Sequence, residues 1–101
     1  MKETIMYEWK KNGDVRKKEI DRDELLTRMC SLVMLYPEDN VIAKQIVEVL
    51  PITVTLKVDK DRYEDEETPK IYCVDAEGVT RSIAVKKRHT IIWAMLDKYF
   101  S

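Results

Sequence analysis

The chain contains few of the residues from which cofactor and metal sites are built. Its 101 residues include two glycines, two cysteines and one histidine. Gly13 and Gly78 lie far apart and cannot form the glycine-rich loops that hold nucleotide phosphates. One histidine and two separated cysteines cannot supply the four ligands of a structural zinc site. The sequence therefore predicts no cofactor and no metal, and it argues against P-loop and dinucleotide-binding enzymes.

Long apolar runs and a secretion signal are also missing. No apolar run approaches the roughly 20 residues that a membrane-spanning helix needs. Lys2, Glu3 and Glu8 interrupt the apolar core that a signal peptide requires. Cys30 and Cys73 are too few for a disulfide-stapled domain, and each lies in an apolar run typical of reduced core cysteines. We therefore expect a soluble, cytoplasmic protein that does not contact a membrane.

Apolar residues are present in sufficient number to form a core. They make up 45% of the chain, charged residues make up 37%, and the net charge is −1. A chain of this size and composition is expected to fold as one domain, which spans residues 1–101. The nearly neutral charge argues against a uniformly basic nucleic-acid-binding surface.

Turn and periodicity signals predict the element order β-β-α-α-β-β-β-α. Asn12-Gly13 predicts a first hairpin, and Asp75-Ala76-Glu77-Gly78 predicts a second. The predicted strands span 4–10, 15–20, 52–58, 70–75 and 79–85, and the predicted helices span 22–36, 41–50 and 90–100. This pattern indicates a single α+β domain, with a mainly antiparallel sheet and helices packed on one face.

Two elements carry a specific expectation about burial. Helix 22–36 is apolar on most of its sides and is therefore expected to be the central helix of the core. Strand 52–58 alternates apolar with polar residues, so its four apolar residues from Ile52 to Val58 are expected to face the core.

The first hairpin admits two registers. A two-residue turn places Trp9 opposite Arg16 and Tyr7 opposite Lys18. One face then carries aromatic rings among basic residues, an arrangement suited to nucleic acid. A three-residue loop instead places Trp9 opposite Val15, which makes an apolar anchor for the core. In the simpler interpretation, Tyr7 and Trp9 pack inward and the lysines are solvated.

An acidic segment at 59–68 follows the third predicted strand. It holds six acidic and two basic residues but lacks the glycine and the ligand order of a calcium-binding loop. We expect an exposed insertion rather than a cation site. A basic partner is the functional alternative, and the candidate contacts are Tyr63, Glu64, Asp65 and Glu66.

A basic segment precedes the last predicted helix. Lys86, Lys87, Arg88 and His89 are consecutive there. Positive side chains oppose the dipole of a helix N-terminus, whereas its free amides attract anions. A contact with phosphate or an acidic partner is one interpretation of this segment, and a solvated connection is the other.

The last predicted helix has more apolar residues than one core stripe needs. Trp93 and Phe100 are therefore candidates either for the core or for an interface, including one in a homodimer. Catalytic signals are weaker. Cys73 and His89, with Asp75 or Asp97 orienting the imidazole, are the one nucleophile and base combination that the chain offers.

Segregated charge and surplus aromatic residues predict a small non-enzymatic protein-interaction module, such as an adaptor, an inhibitor or a regulatory subunit. The expected partner is another protein or a second copy of the chain. The alternative is a nucleic-acid-binding module that uses the first hairpin and residues 86–89. The candidate partner-binding residues are Tyr7, Trp9, Arg16, Lys18, Tyr63, Glu64, Asp65, Glu66, Lys86, Lys87, Arg88, His89, Trp93 and Phe100.

Overall fold

A computed structural model describes residues 3–11, 13–59, 69–86 and 88–98. The strands are β1 (Thr4–Lys11), β2 (Asp14–Asp21), β3 (Thr53–Asp59), β4 (Lys70–Asp75) and β5 (Thr80–Ala84). The helices are α1 (Arg22–Leu35), α2 (Asn40–Val49) and α3 (Thr90–Asp97), with a short 3-10 helix at Leu50–Ile52. The predicted α+β class and element order are confirmed.

All five strands belong to one sheet, in the order β2-β1-β3-β4-β5. Three of the four neighbouring pairs are antiparallel, but β1 and β3 run parallel, so the sheet is mixed. The parallel pair follows from the connection, because α1 and α2 carry the chain from β2 over the sheet and back to the far side of β1.

The first hairpin has the two-residue turn. Lys11 pairs with Asp14 and Ile5 pairs with Ile20, so Trp9 lies opposite Arg16. Gly13 has a φ of 84°, a left-handed conformation that glycine adopts without a steric penalty. The register that places aromatic residues opposite basic ones is therefore the correct one.

Asp75 organises the second hairpin. Its Oδ1 accepts hydrogen bonds from the backbone N–H groups of Glu77 at 3.0 Å and Val79 at 2.9 Å. Gly78 has a φ of 84°, and its N–H donates to the Asp75 carbonyl at 3.0 Å. The sequence signal for this turn is local. It consists of a short acidic side chain, Asp75, followed three residues later by a glycine that can adopt the left-handed conformation.

The helices cover one face of the sheet and form the core with it. The strands contribute Ile5, Tyr7, Trp9, Ile20, Leu56, Val58, Ile71, Cys73 and Ile83, and the helices contribute Leu25, Met29, Leu32, Ala43, Ile46, Val49, Ile92, Trp93, Met95 and Leu96. The opposite face is polar. There Glu8 of β1 forms ion pairs with Lys17 of β2 at 3.5 Å and Lys57 of β3 at 3.7 Å.

Helix α1 is not enclosed as the sequence predicts. It buries only the stripe of Leu25, Met29 and Leu32, since the sheet contacts one side of the helix and α2 covers only part of another. Leu26 and Val33 are only partly buried against the core, and the apolar side chains at the end of the helix face solvent, with Met34 83% exposed. Both cysteines are free, as predicted, but Cys30 lies on this exposed side rather than in the core.

Strand β3 departs from simple alternation at its start. A register shift between Thr53 and Thr55 turns Val54 outward, and Ile52 lies exposed in the 3-10 helix. Thr53 takes the buried position, where its hydroxyl donates to the Val49 carbonyl at 2.7 Å. The prediction is therefore wrong for Ile52 and Val54 and correct for Leu56 and Val58, because a bulge reverses the side-chain alternation.

Candidate functional site

Exposed apolar side chains concentrate where α1 ends and where α2 and α3 begin. Met34 is 83% exposed and Leu35 is 67% exposed, and Tyr36, Val41 and Ile91 are exposed as well. We call these five residues the Tyr36 surface. The sequence places the first three inside a predicted core helix, so sequence reasoning missed this surface. The sequence signal that could have indicated this surface is the number of apolar residues in α1, which is larger than one buried stripe needs.

Two residues of the Tyr36 surface, Tyr36 and Ile91, line a cavity of about 320 Å³. Its lining residues are Tyr36, Pro37, Glu38, Asp39, Arg88, Thr90 and Ile91. A neighbouring cavity of about 330 Å³ is lined by Glu38, Arg88 and His89. Two segments that are distant in sequence, 36–39 and 88–91, therefore line these cavities, with Tyr36 and Ile91 as apolar walls and Glu38 and Arg88 as two opposite charges.

A buried pair of polar side chains holds these two segments together. The Nδ1 of His89 donates to the Oδ1 of Asp39 at 3.0 Å, and the backbone N–H of Ile92 donates to the Oδ2 of Asp39 at 3.3 Å. The backbone N–H of Asp39 also donates to the Tyr36 carbonyl at 3.1 Å, and its carbonyl accepts from the N–H of Ala43 at 3.0 Å. Asp39 therefore connects the α1–α2 turn, the first turn of α2 and the first turn of α3.

The sequence indicates Asp39 as an acid that favours the start of α2. In the structure, its carboxylate caps α3 instead, and α2 receives no side-chain cap from it. The negative charge of Asp39 is attracted to the positive end of the α3 dipole. It therefore offsets the unfavourable effect of the adjacent basic residues on the start of this helix. The predicted anion site needs free amides in the first turn of α3. The Ile92 amide is not free, because it donates to Asp39.

The four residues of the predicted basic cluster do not form one exposed group. Lys86 and Arg88 are exposed, His89 is buried against Asp39, and Lys87 lies outside the described residues. Arg88 lines both cavities described above, and His89 lines one of them.

Trp93 faces the core rather than an interface. Its ring is buried, and its Nε1 donates to the Lys86 carbonyl at 3.1 Å. Phe100, the other candidate on this helix, lies outside the described residues, as do Tyr63, Glu64, Asp65 and Glu66.

The aromatic residues of the first hairpin are buried on the helix-covered face. The ring centroids of Tyr7 and Trp9 lie 5.3 Å apart with a tilt of 54°. Arg16 remains exposed and Lys18 is half-buried on the neighbouring edge strand. The register predicted for stacking is correct, but the rings do not offer a stacking surface, because α1 and α2 pack on the face that carries them. The inward-packing interpretation is the correct one.

The proposed nucleophile and base do not have the predicted surroundings. Burial raises the pKa of Cys73 to about 11, although a hydrogen bond with Thr53 lowers it. Cys73 is therefore a neutral thiol at physiological pH, and a neutral thiol is a poor nucleophile. Asp39 orients His89, whereas Asp75 is engaged in the second hairpin.

Two absences among the described residues bear on other functions. No cluster of three or more His, Cys, Asp or Glu side chains suited to a metal ion occurs in them. No helix within these ranges is both long enough and apolar enough to cross a membrane.

In comparisons with known proteins, no family model matches this chain, and no curated protein or solved structure shows significant similarity to it. A function must therefore be inferred from the geometry of the molecule.

Proposed function

We propose that this protein is a small interaction module that binds a partner protein through the Tyr36 surface. The observation that supports the proposal is the run of three consecutive exposed apolar side chains, Met34 to Tyr36, the last of which lines a cavity. Single exposed apolar residues are common in soluble proteins. A group of them around a concave region is instead typical of a binding site.

The chemistry of the surface suggests what the partner presents. Tyrosine, methionine and arginine are enriched at the centres of protein interfaces. Here Tyr36 and Ile91 form apolar walls, and Glu38 and Arg88 bring one negative and one positive charge to the rim. Such a cavity suits an apolar side chain of the partner that is flanked by polar groups. The charges would orient the partner during association more than they would add to affinity.

Surface variants test the proposal. The double variant Leu35→Ser and Tyr36→Ser removes the exposed apolar group, and Val79→Ser is the matched control because Val79 is an exposed valine in the second hairpin. Immobilised wild-type protein and each variant would be used to capture partners from the source cell, and the affinity of the main captured protein would then be measured with purified components.

We expect the wild type and Val79→Ser to bind this partner equally, and the double variant to bind it at least tenfold more weakly. Far-UV circular dichroism would confirm that all three proteins are folded. Equal binding by all three proteins, or the absence of a saturable partner, would overturn the proposal.

Nucleic-acid binding is the competing function. With Tyr7 and Trp9 buried, it would depend on the side-chain charges of Arg16, Lys18, Lys86 and Arg88. Fluorescence anisotropy with labelled single- and double-stranded DNA and RNA tests it at low and physiological salt, because phosphate contacts weaken steeply as salt rises. Saturable binding that the double variant Lys86→Ala and Arg88→Ala weakens, while the Leu35→Ser and Tyr36→Ser variant does not, would replace the protein-partner proposal.

A further inference from the structure

The two edges of the sheet differ in how they are protected from pairing with another strand. Six of the eight residues of β2 are charged, whereas β5 contains a single charged residue, Arg81. Charged side chains on an edge strand discourage a further strand from adding to it. Four of the five residues of β5 are exposed. The sheet therefore has one protected edge, β2, and one unprotected edge, β5.

Hydrogen bonds at the two ends of the β4–β5 ladder define which backbone groups of β5 face outward. The N–H of Asp75 donates to the Val79 carbonyl at 3.0 Å, and the N–H of Val85 donates to the Pro69 carbonyl at 2.9 Å. Because bonded positions alternate along an antiparallel pair, Arg81 and Ile83 direct their backbone groups toward β4.

The backbone N–H and C=O groups of Thr80, Ser82 and Ala84 consequently point away from the sheet. Nothing in the described ranges forms a hydrogen bond with them. Along a strand, alternate residues are roughly 6.7 Å apart. Three donors and three acceptors at this spacing match the backbone of an extended polypeptide.

A groove runs beside this edge, between β5 and α2. It has a volume of about 370 Å³ and is lined by Gln45, Glu48, Val49, Arg81, Ser82 and Ile83. Its lining is mixed, with the core residues Val49 and Ile83 beside the polar Gln45 and Ser82. Glu48 and Arg81 place a carboxylate and a guanidinium at its sides.

We propose that β5 and α2 form a docking groove for an extended segment of a partner polypeptide, which adds to the sheet as a sixth strand. Its backbone pairs with Thr80, Ser82 and Ala84. A small apolar side chain of the partner segment faces α2 and packs over Val49 and Ile83. Polar side chains beside it in the partner segment contact Glu48 and Arg81. Strand addition to an exposed sheet edge is an established mode of peptide recognition. This site goes beyond the Tyr36 surface and does not depend on it.

A second copy of the chain fits the groove less well than a separate segment does. Pairing of β5 with β5 around Ser82 would direct Arg81 and Ile83 of each copy toward the groove of the other. Ile83 is already buried in its own core and cannot fill a second site. A stable dimer also buries about 800 Å² on each partner, which is more than a strand of five residues supplies.

The first test uses a random heptapeptide library displayed on phage and selected against the full chain. A selected peptide is synthesised and titrated into ¹⁵N-labelled protein. We expect the amide signals of Thr80, Ser82 and Ala84 to shift and their hydrogen exchange to slow. N-methylation of the peptide at alternate residues should weaken binding at least tenfold, and N-methylation at the residues between them should not, because only one set of N–H groups faces β5.

Variants of the protein provide the second test. Ser82→Pro removes an outward N–H, and proline is tolerated on an edge strand where the N–H faces solvent. We expect it to reduce peptide affinity at least tenfold, while Ser82→Ala and Glu19→Pro on the β2 edge leave affinity unchanged. Gln45→Trp fills the groove from α2 and should also block binding, so the test does not depend on one proline variant folding.

Three results would overturn the inference. One is a selection that yields no peptide, or yields peptides whose affinity neither Ser82→Pro nor Gln45→Trp reduces. Another is loss of peptide binding in the Leu35→Ser and Tyr36→Ser variant, which would assign the peptide to the Tyr36 surface. The third is concentration-dependent dimerisation in sedimentation experiments that Ser82→Pro abolishes, which would make a second copy the occupant.

Discussion

Removal of the Asp39 carboxylate is the sharpest test of how the molecule holds its helices together. Asp39→Ala leaves the Nδ1 of His89 and the backbone N–H of Ile92 without their acceptor, and both donors lie in the interior. A buried donor left unsatisfied costs about 1–3 kcal/mol. The adjacent cavities give water a route to these groups, so we take about 1–2 kcal/mol for each of the two donors and expect a total loss of about 2–4 kcal/mol. This is a large share of the roughly 5–15 kcal/mol by which domains are stable.

Urea denaturation followed by tryptophan fluorescence measures this loss, because Trp9 and Trp93 are both buried and become solvated on unfolding. If the slope of the unfolding free energy against urea concentration is unchanged, the substitution has altered stability and not the compactness of the native or denatured state. In a thermal scan, the same loss should lower Tm by at least about 8 °C. Asp39→Asn keeps one acceptor oxygen and should lose about half as much, and Glu38→Ala, an exposed neighbour, should change stability by less than about 0.5 kcal/mol.

A double-mutant cycle isolates the pair itself. Because Asp39→Ala and His89→Ala remove the same hydrogen bond, their combined effect should be smaller than the sum of the single effects by about 0.5–3 kcal/mol. The reasoning would be refuted if Asp39→Ala were as stable as wild type within about 0.5 kcal/mol, or if the two substitutions were additive.

Three further predictions concern stability. Arg22→Ala removes three hydrogen bonds that join the start of β1 to the chain entering β3, and we expect urea denaturation to show a loss of about 1–3 kcal/mol. Arg22→Lys should recover only part of it, since an ammonium does not reproduce the guanidinium fork. Gly78→Ala meets no atom within 4 Å, so its cost is the left-handed backbone alone, about 1–2 kcal/mol in thermal denaturation. Cys73 holds its proton more tightly when folded, with its pKa raised from 9.0 to about 11. Its contribution, roughly 2–3 kcal/mol, is therefore present below pH 9 and is lost as pH rises toward 11, relative to Cys73→Ala.

Each of these predictions has an outcome that contradicts it. Full recovery in Arg22→Lys would show that charge alone matters at that position. A neutral Gly78→Ala would mean that the turn relaxes out of the left-handed conformation. Parallel stability curves for wild type and Cys73→Ala between pH 9 and 11 would show that the thiol ionises equally in the folded and unfolded chain.

Local sequence signals predict the elements of this fold well. The Asn12-Gly13 turn, the Asp75 turn and the Asp21 cap on α1 each involve residues within four positions of one another. Backbone geometry at such sites depends on few atoms, so the residue types are sufficient to predict it. The element order and the α+β class follow from these signals and from hydrophobic periodicity.

Burial of the surplus apolar residues could not be predicted in the same way. Helix α1 has apolar residues on most of its sides, and only the assembled structure determines which sides the sheet and α2 cover. Likewise, the parallel pairing of β1 with β3 and the bulge at Val54 depend on strands that are distant in the chain. Asp39 and His89 are 50 residues apart, and no local pattern relates them.

The Tyr36 surface and the hydrogen bonds of Asp39 to α3 arise from the same turn between α1 and α2. The carboxylate of Asp39 points inward to α3, while the chain on either side presents Tyr36 and Val41 to solvent. A surface made from two segments keeps its shape only if something joins them, and Asp39 makes that connection to the segment that carries Arg88 and Ile91. Exposed apolar residues at a fixed position lose less conformational entropy on binding than residues of a mobile loop do. Partner affinity should therefore fall in Asp39→Asn, although the side chain is buried, because the two segments are then held together less firmly.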